Sequence, residues 1–204
     1  DIPVSITKAI LLTSHEKRRA GSLELERMIR NLIASNKDTQ IRRVINFFQK
    51  EFIDNTSITH RKGGAYALSV IALGLGDHIE RYFKILLTPV LELCGDIEPR
   101  VRFTACEAMY NILKGSRALV LRNFISIFDK LMVLFADVDL EVQKASQSLD
   151  RLLKDIVCEG IPNDHKNENQ FQLDQFIAVI IEKLSVGNPS VRRMLVSWIR
   201  ILDS

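Results

Sequence analysis

Cysteine is scarce in this chain, and its count is odd. Cys94, Cys106 and Cys158 are the three in 204 residues, too few and too widely spaced for a disulfide framework. Their apolar surroundings read as buried thiols of a reducing compartment. A surplus of one charge is also missing. The formal net charge is only +3, which gives no support to a nucleic-acid binder, because that function needs a clustered basic face. No long hydrophobic run occurs. The most apolar stretch, Ala65 to Leu75, is interrupted by Ser69 and Gly74. It suits a buried helix and falls well short of the roughly twenty residues that span a bilayer. No secretory signal is legible before the first helix.

Catalytic and ligating patterns are absent as well. His15, His60, His78 and His165 are scattered, and no His-x-x-x-His or Cys-x-x-Cys pair supports zinc. Gly74-x-Gly76 lacks the third glycine and the preceding strand of a phosphate-binding loop. No Gly-x-Ser-x-Gly elbow is present. Asp150, Asp155 and Glu159 share a helix with Arg151 and Lys154, a pattern of surface ion pairing rather than of paired catalytic carboxylates. No catalytic residue, metal ligand or cofactor site is expected, and the chain reads as a non-enzyme.

What is present is a signature that returns about every forty residues. Glu98-Pro99-Arg100-Val101-Arg102 opens one copy, with Ala105, Ala108 and Ile112 following at helical spacing. Asp139-Leu140-Glu141-Val142-Gln143 opens another, with Ser146, Leu149 and Leu153. A third starts at Asn188-Pro189-Ser190-Val191-Arg192, followed by Leu195, Trp198 and Leu202. Weaker copies sit at Arg18 and Arg61. Steps of 43, 41, 41 and 49 residues separate Arg18, Arg61, Arg102, Gln143 and Arg192. Two helices per period of this length mark a HEAT or armadillo solenoid. The expected fold is therefore all-α, an α-solenoid of about five HEAT-type helical pairs in a single array. The expected repeats are 1–36, 37–75, 76–115, 116–160 and 171–204, with an exposed loop at 161–170. Asp38 is a plausible N-cap for the third helix, and Pro89 should kink the fifth.

Several constellations could be structural or could carry binding. The ladder Arg18, Arg61, Arg102 and Arg192 can reach turn residues Asp96, Asp137 and Asn188 of neighbouring units, or can recognise an anion. Gly63 and Gly64 each cost about 1 kcal/mol in a helix relative to alanine. Either close helix packing or a partner at the backbone, beside Arg61 and Lys62, would offset that cost. Glu107, Tyr110, Asn111 and Lys114 lie off the stripe of Ala105, Ala108 and Ile112. Asp150, Arg151, Lys154 and Asp155 lie off that of Leu149, Leu153 and Ile156. These off-core faces, on equivalent helices, suit a protein partner better than a polyanion, and solubility alone also explains them. In the last pair, Phe176, Ile180, Met194 and Trp198 are expected to expose apolar surface.

In order along the chain, Glu16-Lys17-Arg18, Arg61-Lys62-Gly63-Gly64, Ala105-Cys106-Glu107-Ala108-Met109-Tyr110-Asn111-Ile112, Leu149-Asp150-Arg151-Leu152-Leu153-Lys154-Asp155-Ile156-Val157 and Ser197-Trp198-Ile199 resemble the N-terminal HEAT repeats of the vacuole-morphology scaffold (ArPIKfyve) family. The 161–170 loop departs from the family pattern. The resemblance implies a non-catalytic scaffold without cofactors. It would be cytoplasmic and recruited through partners to the cytosolic face of endosomal and vacuolar membranes. There it would hold a FYVE-domain phosphoinositide kinase that makes phosphatidylinositol 3,5-bisphosphate and a Sac-family phosphatase. Self-association and phosphatase binding are implied for the C-terminal part of the longer family members, so this chain is expected to be an N-terminal piece. Two other readings stay open. One is a general HEAT adaptor for transport or phosphatase assembly; the other is a direct phosphoinositide-binding module using Lys17, Arg18 and Arg19.

Overall fold

The computed structural model describes residues 2–12, 14–160 and 173–202; the loop expected at 161–170 lies outside them. Helices form wherever apolar residues recur at helical spacing, and no strand occurs among the described residues. The chain divides into two compact units, Asp1–Ser116 and Arg117–Ser204.

In the first unit, α1 (Val4–Ile10) packs on α2 (His15–Ala34), and α3 (Asp38–Phe48) with a following π turn (Gln49–Ile53) packs on α4 (Ile58–Leu75). A 3₁₀ segment (Gly76–Arg81) leads into α5 (Phe83–Leu93), which packs on α6 (Pro99–Lys114). The second helices of the pairs lie side by side, α2 against α4 and α4 against α6. Pro99 starts α6, where its missing N–H costs nothing because first-turn donors have no helical acceptor.

Small residues let these layers approach. A Cβ on Gly64 would stand 2.6 Å from Ile53 Cγ1 and 3.2 Å from the Ile53 backbone nitrogen. At the equivalent position of α2, a Cβ on Gly21 would meet the Ala9 Cβ at 2.4 Å, and Ala105 at that position of α6 is fully buried. Gly63, about 100° further round the helix, is buried too. Its Cβ would lie 3.2–3.3 Å from Ile10, Leu11 and Phe52 side chains, because α1 closes over that side of α4.

The second unit contains α7 (Arg117–Arg122), α8 (Phe124–Phe135), α9 (Leu140–Gly160), α10 (Leu173–Lys183) and α11 (Pro189–Leu202). Its core is an aromatic knot. Phe176 meets Phe124 at 4.7 Å and Phe128 at 4.8 Å edge-on, and Trp198 stands 5.3 Å from Phe176. Leu149 and Leu153 of α9 complete this interior.

Several expectations need correction. The apolar periodicity over 117–135 predicts one helix, but it is broken into α7 and α8 at Asn123 (φ −114°, ψ 14°), whose side-chain amide donates to the Leu119 carbonyl at 2.9 Å and so competes with the helical ladder. Asp38 is the first helical residue, not the cap; its carboxylate accepts from Arg42 Nε (2.9 Å) and the Tyr82 hydroxyl (2.6 Å) instead. The fifth helix breaks at Tyr82 (φ −119°, ψ −6°), upstream of Pro89, which sits inside α5. Phe176, Ile180, Met194 and Trp198 are buried because α8 and α9 cover them. Cys158 is exposed, while Cys94 and Cys106 are buried.

Candidate functional site

The repeated signature builds a repeated turn. Asn55, Asp96 and Asp137 each accept, through a side-chain oxygen at 2.9 Å, the backbone N–H two residues on. Six residues after each of them a long polar side chain reaches back. Arg61 Nη1 donates to the Asn55 and Thr56 carbonyls at 3.2 and 2.7 Å. Arg102 Nη1 donates to those of Asp96 and Ile97 at 2.7 and 3.1 Å. Gln143 donates to the Asp137 carbonyl. Turn carbonyls that lie outside the helical ladders thereby gain a partner, and each turn is tied to the helix that follows it.

Arg61 does more. Its Nε and Nη2 engage Asp96 of the next repeat bidentately, at 2.6 and 3.0 Å, the geometry that favours arginine over lysine. Burial pushes the Asp96 carboxyl up, but the Arg61 guanidinium and the Glu98 N–H outweigh it and hold it below the usual range. Arg61 is therefore an internal strut. Arg18 behaves differently and lies over the Tyr66 ring, 5.2 Å from its centroid, leaving Lys17 and Arg19 exposed beside it. Arg192 is exposed; at its turn Asn188 Oδ1 instead accepts the Ser190 and Val191 N–H groups at 2.9 and 3.2 Å.

With Arg61 withdrawn, the face of the first unit is carried by Lys62 and Tyr66 of α4 and by Glu107, Tyr110 and Asn111 of α6. Lys62, Tyr66 and Tyr110 are half-buried, while Glu107 and Asn111 are exposed. Partial burial of its carboxyl raises the Glu107 pKa, against the pull of Arg18 and Lys62. Lys114 stands over the Tyr110 ring at 6.0 Å. These groups form a mixed-charge surface with aromatic anchors, the chemistry of a protein contact.

In the second unit the four expected residues separate. Arg151 and Asp155 are exposed. Asp150, expected on the off-core face, is buried. Its Oδ1 accepts the Trp198 indole N–H at 2.7 Å, and its Oδ2 accepts Lys154 Nζ at 2.5 Å. Lys154 also donates to Ser197 Oγ at 2.7 Å and stands 5.5 Å from the Trp198 ring centre. Burial raises the Asp150 carboxyl, and the Lys154 and Trp198 contacts oppose that rise. A polar tie thus joins α9 to α11. Nothing local in the α9 sequence reveals it; the one signal is that the chain's only tryptophan falls 48 residues on, within the next signature.

Among the described residues no group of three His, Cys, Asp or Glu side chains could hold a metal ion. No helix among them is long and apolar enough to cross a membrane.

Stacked helical pairs joined by capped turns define an α-solenoid of repeat type. A designed armadillo repeat protein in complex with a (KR)4 peptide matches 96% of this chain and 80% of its own, with a TM-score of 0.52 and 18% identity. Computationally designed armadillo repeat proteins for modular peptide recognition match 98% and 82%, with a TM-score of 0.51 and 18% identity. Both likenesses support the fold class.

The sequence comparisons are more particular. Residues 59–155 match the family model described as "Vacuolar 14 Fab1-binding region". "Protein VAC14 homolog" of Arabidopsis thaliana is 39% identical over 203 residues, covering 100% of this chain and 26% of the relative. The Schizosaccharomyces pombe protein of that name is 34% identical over 220 residues, covering 93% and 27%. "Vacuole morphology and inheritance protein 14" of Saccharomyces cerevisiae is 31% identical over 233 residues, covering 97% and 26%. The chain belongs to this VAC14 family of vacuole-morphology repeat scaffolds, and it spans about a quarter of the length of these curated relatives.

Proposed function

We propose that the chain is a non-catalytic docking segment for a Fab1-type (FYVE-domain) phosphoinositide kinase. The observation that carries this is the family match over residues 59–155, which runs from α4 into α9 and includes exposed groups of both units. Lys62, Glu107, Tyr110 and Asn111 form the contact surface of the first unit, and Arg151 and Asp155 that of the second. Arg61, Asp150 and Lys154 support these surfaces from inside. The whole protein, on this reading, also holds the Sac-family phosphatase through regions beyond this chain, self-associates, and works on the cytosolic face of endosomal and vacuolar membranes.

The test uses the full-length protein with two charge-reversal pairs, Lys62→Glu/Glu107→Lys and Arg151→Glu/Asp155→Lys. Glu107, Arg151 and Asp155 are exposed and Lys62 is half-buried, and charges at the surface contribute little to stability, so helicity should stay near wild type and the melting temperature should fall only slightly. Kinase co-purification should drop while phosphatase co-purification persists. Kinase recovery equal to wild type from both folded variants would remove these surfaces from the contact.

A further inference from the structure

Two side chains of α9 stand where the earlier repeats are apolar. Four residues after the aligned positions Gly21, Gly64 and Ala105 come Leu25, Leu68 and Met109, and eight residues after them come Ile29, Ala72 and Leu113. All six are buried. Counted in the same way from Ser146, α9 has Asp150 and Lys154. The apolar version closes a seam between neighbouring helices: a Cβ on Gly74 of α4 would stand 3.0 Å from the Ile29 Cβ of α2. The seam between α9 and α11 instead holds a cleft of about 390 Å³, with Gln143 and Asp150 on the α9 side and Met194 and Ser197 on the α11 side.

The two sides of this joint are held differently. Towards α8, Phe176 and Trp198 lock edge-on against Phe124 and Phe128. Towards α9 the ties are polar: the Trp198 indole N–H donates to Asp150 Oδ1, and Lys154 Nζ donates to Ser197 Oγ. Parting the polar side costs little. Asp150 and Lys154 are four residues apart on one helix and stay paired when α11 moves off, while the bonds to Trp198 and Ser197 are exchanged for bonds to water. Both ions recover hydration that burial denies them. Burial holds the Asp150 carboxyl above its usual range even with Lys154 and Trp198 engaged. Leucine or methionine at the same positions would lose apolar burial and gain nothing in return. We propose that the α9–α11 seam is a latch that opens while the fold stays intact: α10 and α11 rock about the aromatic contacts as the Asp150–Trp198 and Lys154–Ser197 bonds release and re-form. Such an opening lies within the second unit and is independent of the kinase reading.

Thiol trapping reads the opening. With Cys158 changed to serine, the remaining native thiols, Cys94 and Cys106, are buried. Met194→Cys puts a thiol on the α11 side of the seam, at a residue 3% exposed, and Ala72→Cys, at the Lys154 position of α4 and 5% exposed, is the control. Under an aromatic disulfide reagent, Met194→Cys should label roughly tenfold or more faster than Ala72→Cys. Its rate should depend little on sub-denaturing urea, because a local opening exposes little surface. Asp150→Asn with Lys154→Met removes both charges and keeps an acceptor for the Trp198 N–H. It should slow Met194→Cys labelling roughly fivefold or more and leave Ala72→Cys unchanged. Met194→Cys labelling no faster than the control, or as steeply urea-dependent as global unfolding, would overturn the proposal without recourse to the neutral variant. So would unslowed labelling in a neutral variant of wild-type helicity.

Discussion

At the scale of single residues, stability rests on polar side chains that the packing has taken inside. Removing one member of a buried pair strands the other, which typically costs about 3–5 kcal/mol. Both side chains of the Asp150–Lys154 pair are largely buried, at 9% and 16% exposure. Lys154→Ala is therefore expected to destabilise the second unit by about 3 kcal/mol, with a shift in Trp198 emission; chemical denaturation checks both. Arg151→Ala, one turn away and exposed, should cost under about 0.5 kcal/mol. The Arg61–Asp96 pair gives a pH dependence. Asp96 titrates lower when folded, so its contribution is complete above the unfolded carboxylate pKa, near about 3.9, and is lost as pH falls through the folded value. Asp96→Asn keeps an oxygen for the Glu98 N–H but should flatten the acid limb of a stability–pH curve below about pH 4. A variant with the wild-type acid limb would remove Asp96 as its source.

Elements are held by how closely they can approach. Gly64→Ala forces a Cβ against Ile53, including its backbone, and should cost about 1–3 kcal/mol. Gly63→Ala meets only side-chain atoms that can give by tenths of an ångström, and alanine recovers about 1 kcal/mol of helix propensity. Its net effect should be near zero, and paired thermal melts would read the difference. The face of α10 behaves unlike that of α8. Aligning the caps Asp139 and Asn188, which accept equivalent N–H groups, puts Leu173 and Ile177 in register with Phe124 and Phe128. Those phenylalanines are covered by Phe176 and Trp198, whereas Leu173, Ile177 and Ile181 on α10, and Leu184 just after it, are exposed. An apolar stripe of this kind drives association. Ile177→Glu with Ile181→Glu should lower any concentration-dependent self-association in sedimentation velocity, and unchanged association would exclude this stripe.

For the whole molecule, the sequence exposes what repeats and conceals what is paired at a distance. The forty-residue signature made the helical pairs legible, and Asp96 was recognisable as a receiver for Arg61 because turn residue and arginine recur together. Asp150 was not. Its α9 neighbours look like an ordinary solvated face, and its burial depends on Trp198, placed by a different helix. The break at Asn123 was hidden because an asparagine inside an apolar run can turn outward or bond back to its own helix, and only packing decides. The surroundings of Gly63 were equally hidden, since α1, not its own helix, closes over it. The faces proposed for docking were read as off-stripe positions, yet their division into buried and exposed groups came from the tertiary contacts. The central claim is that these 204 residues suffice to hold the kinase. Capture of a purified Fab1-type kinase by this chain alone, measured by pull-down and by co-elution in size-exclusion chromatography, tests it most directly. The account predicts co-elution that the Lys62→Glu/Glu107→Lys and Arg151→Glu/Asp155→Lys pairs weaken; separate elution of the chain and a kinase that the full-length protein binds would contradict it.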